Sequence, residues 1–540
     1  MDPVTLAVLK GRLESIADEM DATLFRAAFN PTIAEAHDAC HGLYETTTGA
    51  TLVQGRSGLP IFVGVMAFAA KAVIDKFPDA ADGDVFLFND PYLGGTHLSD
   101  MRLIRPYIRD GRVFCWLGSV GHWHDLGGAV PGNYNPAATE YFQEAVLIPP
   151  VRLYAGHALR QDIVDIVLAA SRLPVSAYGD LQAQLSALDL GIARLDALLD
   201  QYGADTVAQA FAELRARAAA QLRAELAALP DGTWRQEDFL DNDGRTDEPL
   251  RIAADVTIAG ERLTIDFSRS APSCAGPVNV SRATTVASVY VALKHLFPDV
   301  AANSGVLDPV TVVVPPGSLL DAQRPAPTGG YTETILRIVD VLFSAFARIR
   351  PAHAIGNAYG TINALSIAGR RPDRSRWVMF SFFGGGHGGT PDGDGLSHSN
   401  PPIATAIIPP VEIMEAAYPI RYTQWALRDG SGGTGEHRGG MGAVYEIELL
   451  ADAAEAFVFA ERARFPPQGV LGGGPGAMNR ISYRQDGAWS VPSLGSKVVG
   501  VTLTRGDRIR LESPGGGGWG DPARRDPGAT DNDRRMGFIP

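Results

Sequence analysis

Glycine and proline fall in clusters between short apolar runs along the whole chain, and this distribution constrains the fold more than any other feature. There are 60 glycines and 37 prolines in 540 residues, yet they form no single biased tract. Such clusters indicate turns and shaped loops between packed elements rather than disorder. With 45% hydrophobic residues the chain can bury several cores, so we predict a loop-rich, multi-domain protein of mixed α+β class.

The charge balance and the hydropathy exclude two classes of partner. The formal net charge is −14, and lysine and arginine form no cluster. Because nucleic acids and anionic membrane surfaces bind through such clusters, we expect neither as a partner. No apolar run approaches the roughly 20 residues that span a bilayer, and the first residues lack a signal-peptide pattern. Three widely spaced cysteines without a CxxC pair favour reduced thiols, so we expect a cytoplasmic protein.

The first 159 residues combine one long helix with a sheet. Apolar side chains recur at steps of three and four from Leu6 to Leu24, which predicts an amphipathic helix over residues 4–29. Short β-prone runs follow, separated by turns that contain glycine and proline. We therefore interpret residues 1–159 as an N-terminal domain.

A helical segment then interrupts the chain over residues 160–230. Alanine, leucine, glutamine, arginine and glutamate dominate here, and apolar positions recur at helical spacing. The pattern predicts a helical hairpin or small bundle near residues 160–228, and packing on the main body or on a neighbouring subunit explains it better than a cofactor site.

Two further domains are predicted after the helical segment. Strand patterns near residues 250–268 and 310–314, with a buried helix over residues 333–348, indicate a central α/β domain over residues 231–370. Residues 371–540 return to strands between glycine loops and form the C-terminal domain.

Polar side chains are concentrated in two glycine-bearing loops of the N-terminal domain. The first covers residues 89–100 and the second covers residues 121–128, and each follows an apolar strand. Together they hold three histidines and three aspartates, a mixed imidazole and carboxylate set that suits Mn, Fe or Zn better than Mg or Ca. A metal there would polarise a carbonyl or activate water. The spacing alone is equally compatible with hydrogen-bonded loop caps.

The chain resembles the hydantoinase B/oxoprolinase family, and the likeness runs from end to end. Several motifs in the same order carry it. They are Asp2-Pro3-Val4-Thr5, Gly94-Gly95-Thr96-His97, Gly121-His122-Trp123-His124-Asp125, Ala138-Thr139-Glu140, Thr332-Glu333-Thr334, Asp429-Gly430-Ser431-Gly432-Gly433-Thr434-Gly435 and Ser513-Pro514-Gly515-Gly516-Gly517-Gly518-Trp519-Gly520-Asp521-Pro522.

The resemblance implies a divalent transition-metal site, with Mn, Zn or Fe as the candidates. Its GGTHxxD and HxxD motifs assign the metal ligands to four residues, which are His97, Asp100, His122 and Asp125. Asp90 and His124 are further candidates for catalysis, and Glu140 is a candidate base, although an exposed carboxylate at a helix start explains Glu140 equally well.

The chain departs from the family pattern in two places. It has Glu35-Ala36-His37-Asp38-Ala39-Cys40-His41 where relatives carry a basic residue and a serine, and Gly330-Tyr331 where they have Gly-Asn. These positions could face the substrate, so they bear on its identity more than on the family.

Two glycine loops, residues 384–389 and 515–518, could bind oxyanions through consecutive backbone N–H groups. Neither contains a GxxxxGK[ST] sequence or a GxGxxG at a helix start. We therefore expect tight turns near the surface or at an interface rather than a phosphate site.

The resemblance also implies a division of labour within a hetero-oligomer. ATP and Mg bind to a hydantoinase A-type partner, which phosphorylates the substrate, while this B-type chain opens a cyclic amide such as a hydantoin, 5-oxoproline or a lactam. In this hypothesis the metal activates water, and Glu140 or Asp90 takes its proton.

Two alternatives remain open from the sequence. The complex could be a ketone carboxylase of the acetone or acetophenone carboxylase type, which uses bicarbonate at the same metal. Alternatively, this chain could be a non-catalytic scaffold whose loops cap the partner, in which case replacing His122 would leave turnover unchanged.

Overall fold

The fold is known from a computed structural model that describes residues 1–539. It is a mixed α+β structure with four separate sheets and an N-terminal helix, as the sequence predicted. The helices of this part of the chain are α1 (Pro3–Ala27), α2 (Pro31–Ala34), α3 (Pro60–Lys76), α4 (Gln161–Ala170), α5 (Pro174–Tyr202), α6 (Ala204–Ala227), α7 (Arg282–Leu296), α8 (Tyr331–Ile349), α9 (Val411–Ala417) and α10 (Pro527–Met536).

The N-terminal sheet has seven strands, and each neighbouring pair is antiparallel. Its order is β2-β1-β5-β4-β3-β6-β7. The strands are β1 (Ala39–Tyr44), β2 (Thr51–Gln54), β3 (Val85–Phe88), β4 (Asp100–Arg109), β5 (Arg112–His122), β6 (Val151–Ala155) and β7 (Ala158–Leu159).

Helices cover both faces of this sheet. Since side chains alternate along a strand, Leu43 packs with α1 and α5 on one face, while Tyr44 packs with α3 on the other. Asp2 caps α1 by accepting a hydrogen bond from the backbone N–H of Thr5 at 2.8 Å, and Pro3 occupies the first helical position. The predicted N-terminal helix and the helical region near residues 160–228 are both confirmed.

A second sheet lies beyond the helices on the α3 side. Its order is β11-β10-β9-β8, and only β10 and β11 run parallel. Its strands are β8 (Gly232–Leu240), β9 (Leu250–Ala259), β10 (Arg262–Asp266) and β11 (Val310–Val313). Helix α7 packs against α3 and α8, and α8 packs against β8 and β9. One hydrophobic core therefore joins the first two sheets, and the buried helix predicted over residues 333–348 is α8.

Two antiparallel sheets build the C-terminal part. They share one core, and their orders are β13-β12-β16-β19 and β14-β15-β20-β17-β18. The strands are β12 (Ala364–Arg370), β13 (Arg376–Ser381), β14 (Ile420–Leu427), β15 (Ala443–Leu449), β16 (Ala453–Phe459), β17 (Arg480–Gln485), β18 (Ala488–Ser490), β19 (Lys497–Thr504) and β20 (Arg508–Glu512).

The glycine loops at residues 384–389 and 515–518 are largely buried, so the prediction of turns near the surface is wrong. They run beside other glycine-rich segments and bond to them through the backbone. Gly516 donates to the carbonyl of Gly440 at 3.0 Å, and Gly518 donates to that of Gly474 at 2.9 Å. The sequence did not reveal this packing because each loop satisfies its backbone groups with segments remote in the chain.

The segments approach so closely that side chains are excluded. A Cβ on Gly516 would lie 1.9 Å from the carbonyl oxygen of His387, and a Cβ on Gly518 would lie 1.9 Å from that of Thr434. Both obstacles are backbone atoms, which cannot rotate away as a side chain can. The glycines are therefore a packing requirement of the C-terminal part.

Among residues 1–539, no helix has both the length and the apolar character needed to cross a bilayer.

We predict that Gly516→Ala destabilises the protein by about 3 kcal/mol, because the added methyl group forces backbone segments apart. Gly393→Ala is the matched control, since a Cβ there meets no atom within 4 Å, and we expect a change within about 0.5 kcal/mol. Denaturant unfolding of both variants measures the difference. Equal stability of the two would contradict the packing role of the glycine segments.

Candidate metal centre

Three of the predicted site residues meet at one end of the N-terminal sheet. Asp100 begins β4 and His122 ends β5, and the two residues face each other as a cross-strand pair. His97 lies in the turn just before β4. One potential ligand atom from each of the three lies within 4.8 Å of the others. The antiparallel pairing of β4 and β5 thus brings the two sequence motifs together.

All three side chains are buried, and their polar atoms are not fully satisfied. His97 Nε2 lies 3.1 Å from Asp100 Oδ1. Neither ring nitrogen of His122 has a hydrogen-bond partner within residues 1–539. Because a buried polar group without a partner is costly, these nitrogens fit a site built for a ligand.

The electrostatics hold Asp100 and His122 in metal-binding protonation states. Burial, with a contribution from His97, lowers the pKa of His122 to about 3, so the imidazole is neutral at neutral pH. Burial would raise the pKa of Asp100, but the neighbouring His97, His122 and Arg102 hold it at about 2. A neutral imidazole beside an ionised carboxylate is a donor pair that Zn, Mn and Fe accept.

A second set of contacts fixes the Asp100 carboxylate. Arg102 is fully buried and donates to the backbone carbonyl of Asp100 at 2.7 Å and to the hydroxyl oxygen of Thr96 at 2.6 Å. The Thr96 hydroxyl in turn donates to Asp100 Oδ2. Such outer contacts orient metal ligands and restrict their motion.

His122 forms part of the wall of a narrow cavity. Its volume is about 40 Å³, which is enough for a few water molecules. Asp38, Tyr134 and Tyr331 line the cavity together with apolar side chains from both the N-terminal and the C-terminal parts. The cavity therefore brings the candidate ligand His122 to a space that a small molecule could share.

Asp38 lies in the segment 35–41 that the sequence indicated as a possible substrate-facing position, although it was not among the predicted metal ligands. Its Oδ1 has no partner among the described residues, and the backbone N–H of His122 donates to its carbonyl oxygen at 3.1 Å. Burial, and then the charge of Asp100, raise the pKa of Asp38 well above its usual range. Two buried carboxylates that act on each other's charge repel, and a divalent cation bound nearby would lower that cost. Only the pairing of β1 with β5 reveals this proximity.

The structure places Asp125 apart from the group of three. Its carboxylate accepts hydrogen bonds from the backbone N–H of Gly127 and of Gly132, both at 3.0 Å. Arg172 adds a bond from its backbone N–H at 2.9 Å and an ion pair at 3.0 Å. With both oxygens engaged in this way, Asp125 organises the loop that leads to Tyr134.

The candidate catalytic residues Asp90, His124 and Glu140 do not line the cavity within the described chain. Asp90 is buried against Arg324 and accepts from the backbone N–H of Tyr92 at 3.0 Å. His124 lies edge-on to Tyr418, and burial lowers its pKa to about 4. Glu140 is exposed at the start of a short 3₁₀ helix.

Aromatic rings surround the histidines. Phe380 stacks on His122 with ring centroids 5.1 Å apart, and Tyr134 stacks on Phe380 at 4.8 Å. Tyr331 lies 4.9 Å from the ring of His97. Phe380 comes from β13, so the C-terminal part completes a site whose polar residues belong to the N-terminal part. No sequence signal linked these distant segments.

Glu333 joins two segments that line the cavity. It belongs to α8, whose first residues Tyr331 and Thr332 line the cavity. Its Oε1 accepts from the backbone N–H of Ile362, another lining residue, at 3.1 Å. Burial, and then the nearby Glu461, raise the pKa of Glu333 to about 8.

We predict that Glu333 makes the protein less stable as pH rises from about 4.5 to 8. In this range the folded protein keeps the Glu333 proton, whereas the unfolded chain releases it, so the slope reaches about 1.4 kcal/mol per pH unit. Glu333→Gln has no such proton and lacks this slope. Denaturant unfolding at several pH values compares the two proteins, and parallel stability curves would contradict the raised pKa.

The comparisons with known proteins identify the family. The sequence model of the Hydantoinase B/oxoprolinase family matches residues 2–522. The chain belongs to this family.

Named relatives cover the chain almost completely. The beta chain of the caprolactamase of Pseudomonas jessenii is 31% identical, and the match covers 100% of this chain and 94% of the relative. The B chain of a putative D-/L-hydantoinase from Pseudomonas sp. (strain NS671) is 29% identical over 100% of this chain and 93% of its own length. The 5-oxoprolinase of Dictyostelium discoideum is 28% identical over 98% of this chain, which spans 41% of that longer protein.

Solved structures share the fold. The crystal structure of the ATP-dependent caprolactamase from Pseudomonas jessenii superposes with a TM-score of 0.89 at 30% identity, covering 100% of this chain and 95% of the other. A nucleotide-free acetone carboxylase structure superposes with a TM-score of 0.91 at 20% identity, covering 100% and 78%. The second likeness bears on the fold alone.

Proposed function

We propose that the chain is the B-type component of an ATP-dependent complex that opens a cyclic amide after a partner subunit has phosphorylated it. The observation that carries this proposal is the buried group of His97, Asp100 and His122, whose His122 nitrogens are unpartnered in the described chain and which adjoins a cavity. The names of the relatives, which are components of a caprolactamase and of a putative hydantoinase, support the reaction class.

We propose His97, Asp100, His122 and Asp38 as the residues that hold one divalent Mn, Zn or Fe ion. Two imidazoles and two carboxylates form a mixed N/O donor set suited to these metals. When bound, the ion would supply Lewis acidity for the attack of water on the activated amide carbon. In the overall balance the ring C–N bond breaks, the ring nitrogen takes a proton from water, and a second water releases the phosphoryl group as inorganic phosphate. Asp38 replaces Asp125 in the ligand set, because Asp125 is held by Arg172 and backbone N–H groups.

The remaining groups of the site exclude water and hold the reactants. Tyr134, Tyr331 and Phe380 enclose the histidines and lower the local polarity, which strengthens electrostatic interactions inside the cavity. Arg102 and Thr96 keep the Asp100 carboxylate in one orientation. Asp90 and Glu140 lie outside the cavity lining, so the proposal assigns them no proton transfer.

ATP and Mg belong to an A-type partner subunit in this proposal. The sequence contains no GxxxxGK[ST] motif, and the relatives are named as subunits of larger enzymes. The working form would then be a hetero-oligomer, with a cyclic amide activated on the partner and opened on this chain.

We predict that the purified chain binds about one transition-metal ion and that His97→Ala, His122→Ala, Asp100→Asn and Asp38→Asn each lose it. Asp125→Asn is the matched control and retains the metal, since its contacts serve the loop. Elemental analysis of the chain, alone and with its A-type subunit, gives the metal content. Metal loss in Asp125→Asn but not in Asp38→Asn would restore Asp125 as the ligand, and no metal in any preparation would overturn the site.

We also predict ATP-dependent ring opening by the chain together with its A-type subunit. His122→Ala should reduce turnover at least about 100-fold, measured as the ring-opened product. Unchanged turnover in His122→Ala would instead support a scaffold role. Incorporation of bicarbonate carbon into a ketone without ring opening would replace hydrolysis by carboxylation.

A further inference from the structure

The cavity beside His122 is lined by both polar and apolar side chains, and the apolar ones are more numerous. The polar groups that line it are Asp38, His122, Tyr134, Tyr331 and Thr332. Most of the remaining wall is formed by large apolar side chains. These are Leu59, Ile61, Ile362, Phe380, Phe382 and Ile403.

Within the described chain, no lysine or arginine lines this cavity. The buried cation nearest to the candidate ligands is Arg102, and its two terminal nitrogens already donate to Asp100 and Thr96. Among the described residues, the carboxylate that lines the cavity is that of Asp38, and the charge of Asp100 acts on it. In the proposed site the charge of a bound divalent ion is already balanced by the carboxylates of Asp38 and Asp100. A carboxylate on the ring substituent would therefore lose its hydration without gaining an unbalanced cationic partner.

The energetic balance favours an apolar ring substituent. Burying an unpaired carboxylate in apolar surroundings is strongly unfavourable, whereas each buried methylene group contributes favourably. The amide group of a cyclic substrate can contact the polar side chains of the lining, and the rest of the ring then contacts the isoleucine and phenylalanine side chains.

We propose that the substrate is a cyclic amide with an apolar ring or side chain. Rings that bear a carboxylate, such as 5-oxoproline, are excluded. Ile403 determines this specificity. The inference rests on the proposed function, and it selects one substrate class among the cyclic amides that such an enzyme could take.

Ile403 is the position that we choose to substitute, because it lies in a segment of the cavity wall that forms neither a helix nor a strand. This segment, residues 400–407, lies against the N-terminal part through the bond from Ile61 N–H to the Ile403 carbonyl at 3.4 Å and from Ile407 N–H to the Ala36 carbonyl at 2.9 Å. A ring exceeds the present cavity of about 40 Å³, so a wall must move to admit it. The segment is also held by hydrogen bonds that the Pro402 and Asn400 carbonyls accept from His295 and His387, and by a bond from the Thr405 hydroxyl to the Ser57 carbonyl. Ile403 is the largest apolar side chain that this segment contributes to the cavity lining.

The test uses two hydantoins of nearly equal size, 5-isobutylhydantoin and 5-(carboxymethyl)hydantoin. Calorimetric titration of the Mn-loaded protein in complex with its A-type subunit measures their dissociation constants. We expect the isobutyl compound to bind at least about tenfold more tightly. Equal affinity, tighter binding of the carboxymethyl compound, or no binding of the isobutyl compound would overturn the inference.

Ile403→Lys introduces a cation into the wall and should narrow or reverse the preference. Ile407→Lys is the matched control, because Ile407 lies in the same segment with 49% of its surface exposed, and it should keep the wild-type preference. Phe382→Lys places the charge on another wall if Ile403→Lys is poorly folded. An unchanged preference in a folded, metal-loaded Ile403→Lys would remove Ile403 as the determinant.

Turnover is measured separately and decides the proposed function. A tenfold binding preference without ATP-dependent ring opening would leave the inference about the ligand intact and contradict the hydrolase proposal. Ring opening of both hydantoins with equal kcat/KM would support the hydrolase proposal and contradict the specificity inference.

Discussion

The cross-strand pair of Asp100 and His122 is the contact on which the site depends. Antiparallel pairing of β4 and β5 places a carboxylate opposite an imidazole, and His97 closes the group from the adjacent turn. Burial makes each group costly by itself. Arg102 and the neighbouring imidazoles keep Asp100 ionised, but Asp38 remains beside it with an unpartnered oxygen in the described chain. The arrangement is electrostatically incomplete, and a divalent cation would complete it.

The C-terminal part supplies side chains that enclose this site. Phe380 stacks on His122, and Ile403 forms part of the cavity wall, although both residues lie more than 250 positions from His122 along the chain. The sheet that carries Phe380 shares a core with the other C-terminal sheet, and the glycine segments of this part pack backbone against backbone. This close packing therefore supports a site whose metal-ligand candidates come from the other end of the protein.

Local sequence patterns predicted most of the fold, but they did not predict which distant strands would pair. The repeat from Leu6 to Leu24 gave α1, and the two motifs identified His97, Asp100 and His122 as neighbours. Asp125 shares its motif with His122, but the chain turns after β5 and directs its carboxylate to Arg172. The pairing of β1 with β5 brings Asp38 close to the end of β5, where His122 lies. Sequence spacing records which residues follow one another, but strand register decides which of them meet.

The central claim is that these residues bind one metal ion at the cavity, and anomalous X-ray diffraction from crystals of the metal-loaded chain tests it most directly. Data collected on both sides of the absorption edge of the bound metal locate the ion without reference to activity. The account predicts a single strong peak among His97, Asp100, His122 and Asp38. A peak bound by Asp125, or peaks confined to exposed carboxylates on the surface, would contradict it.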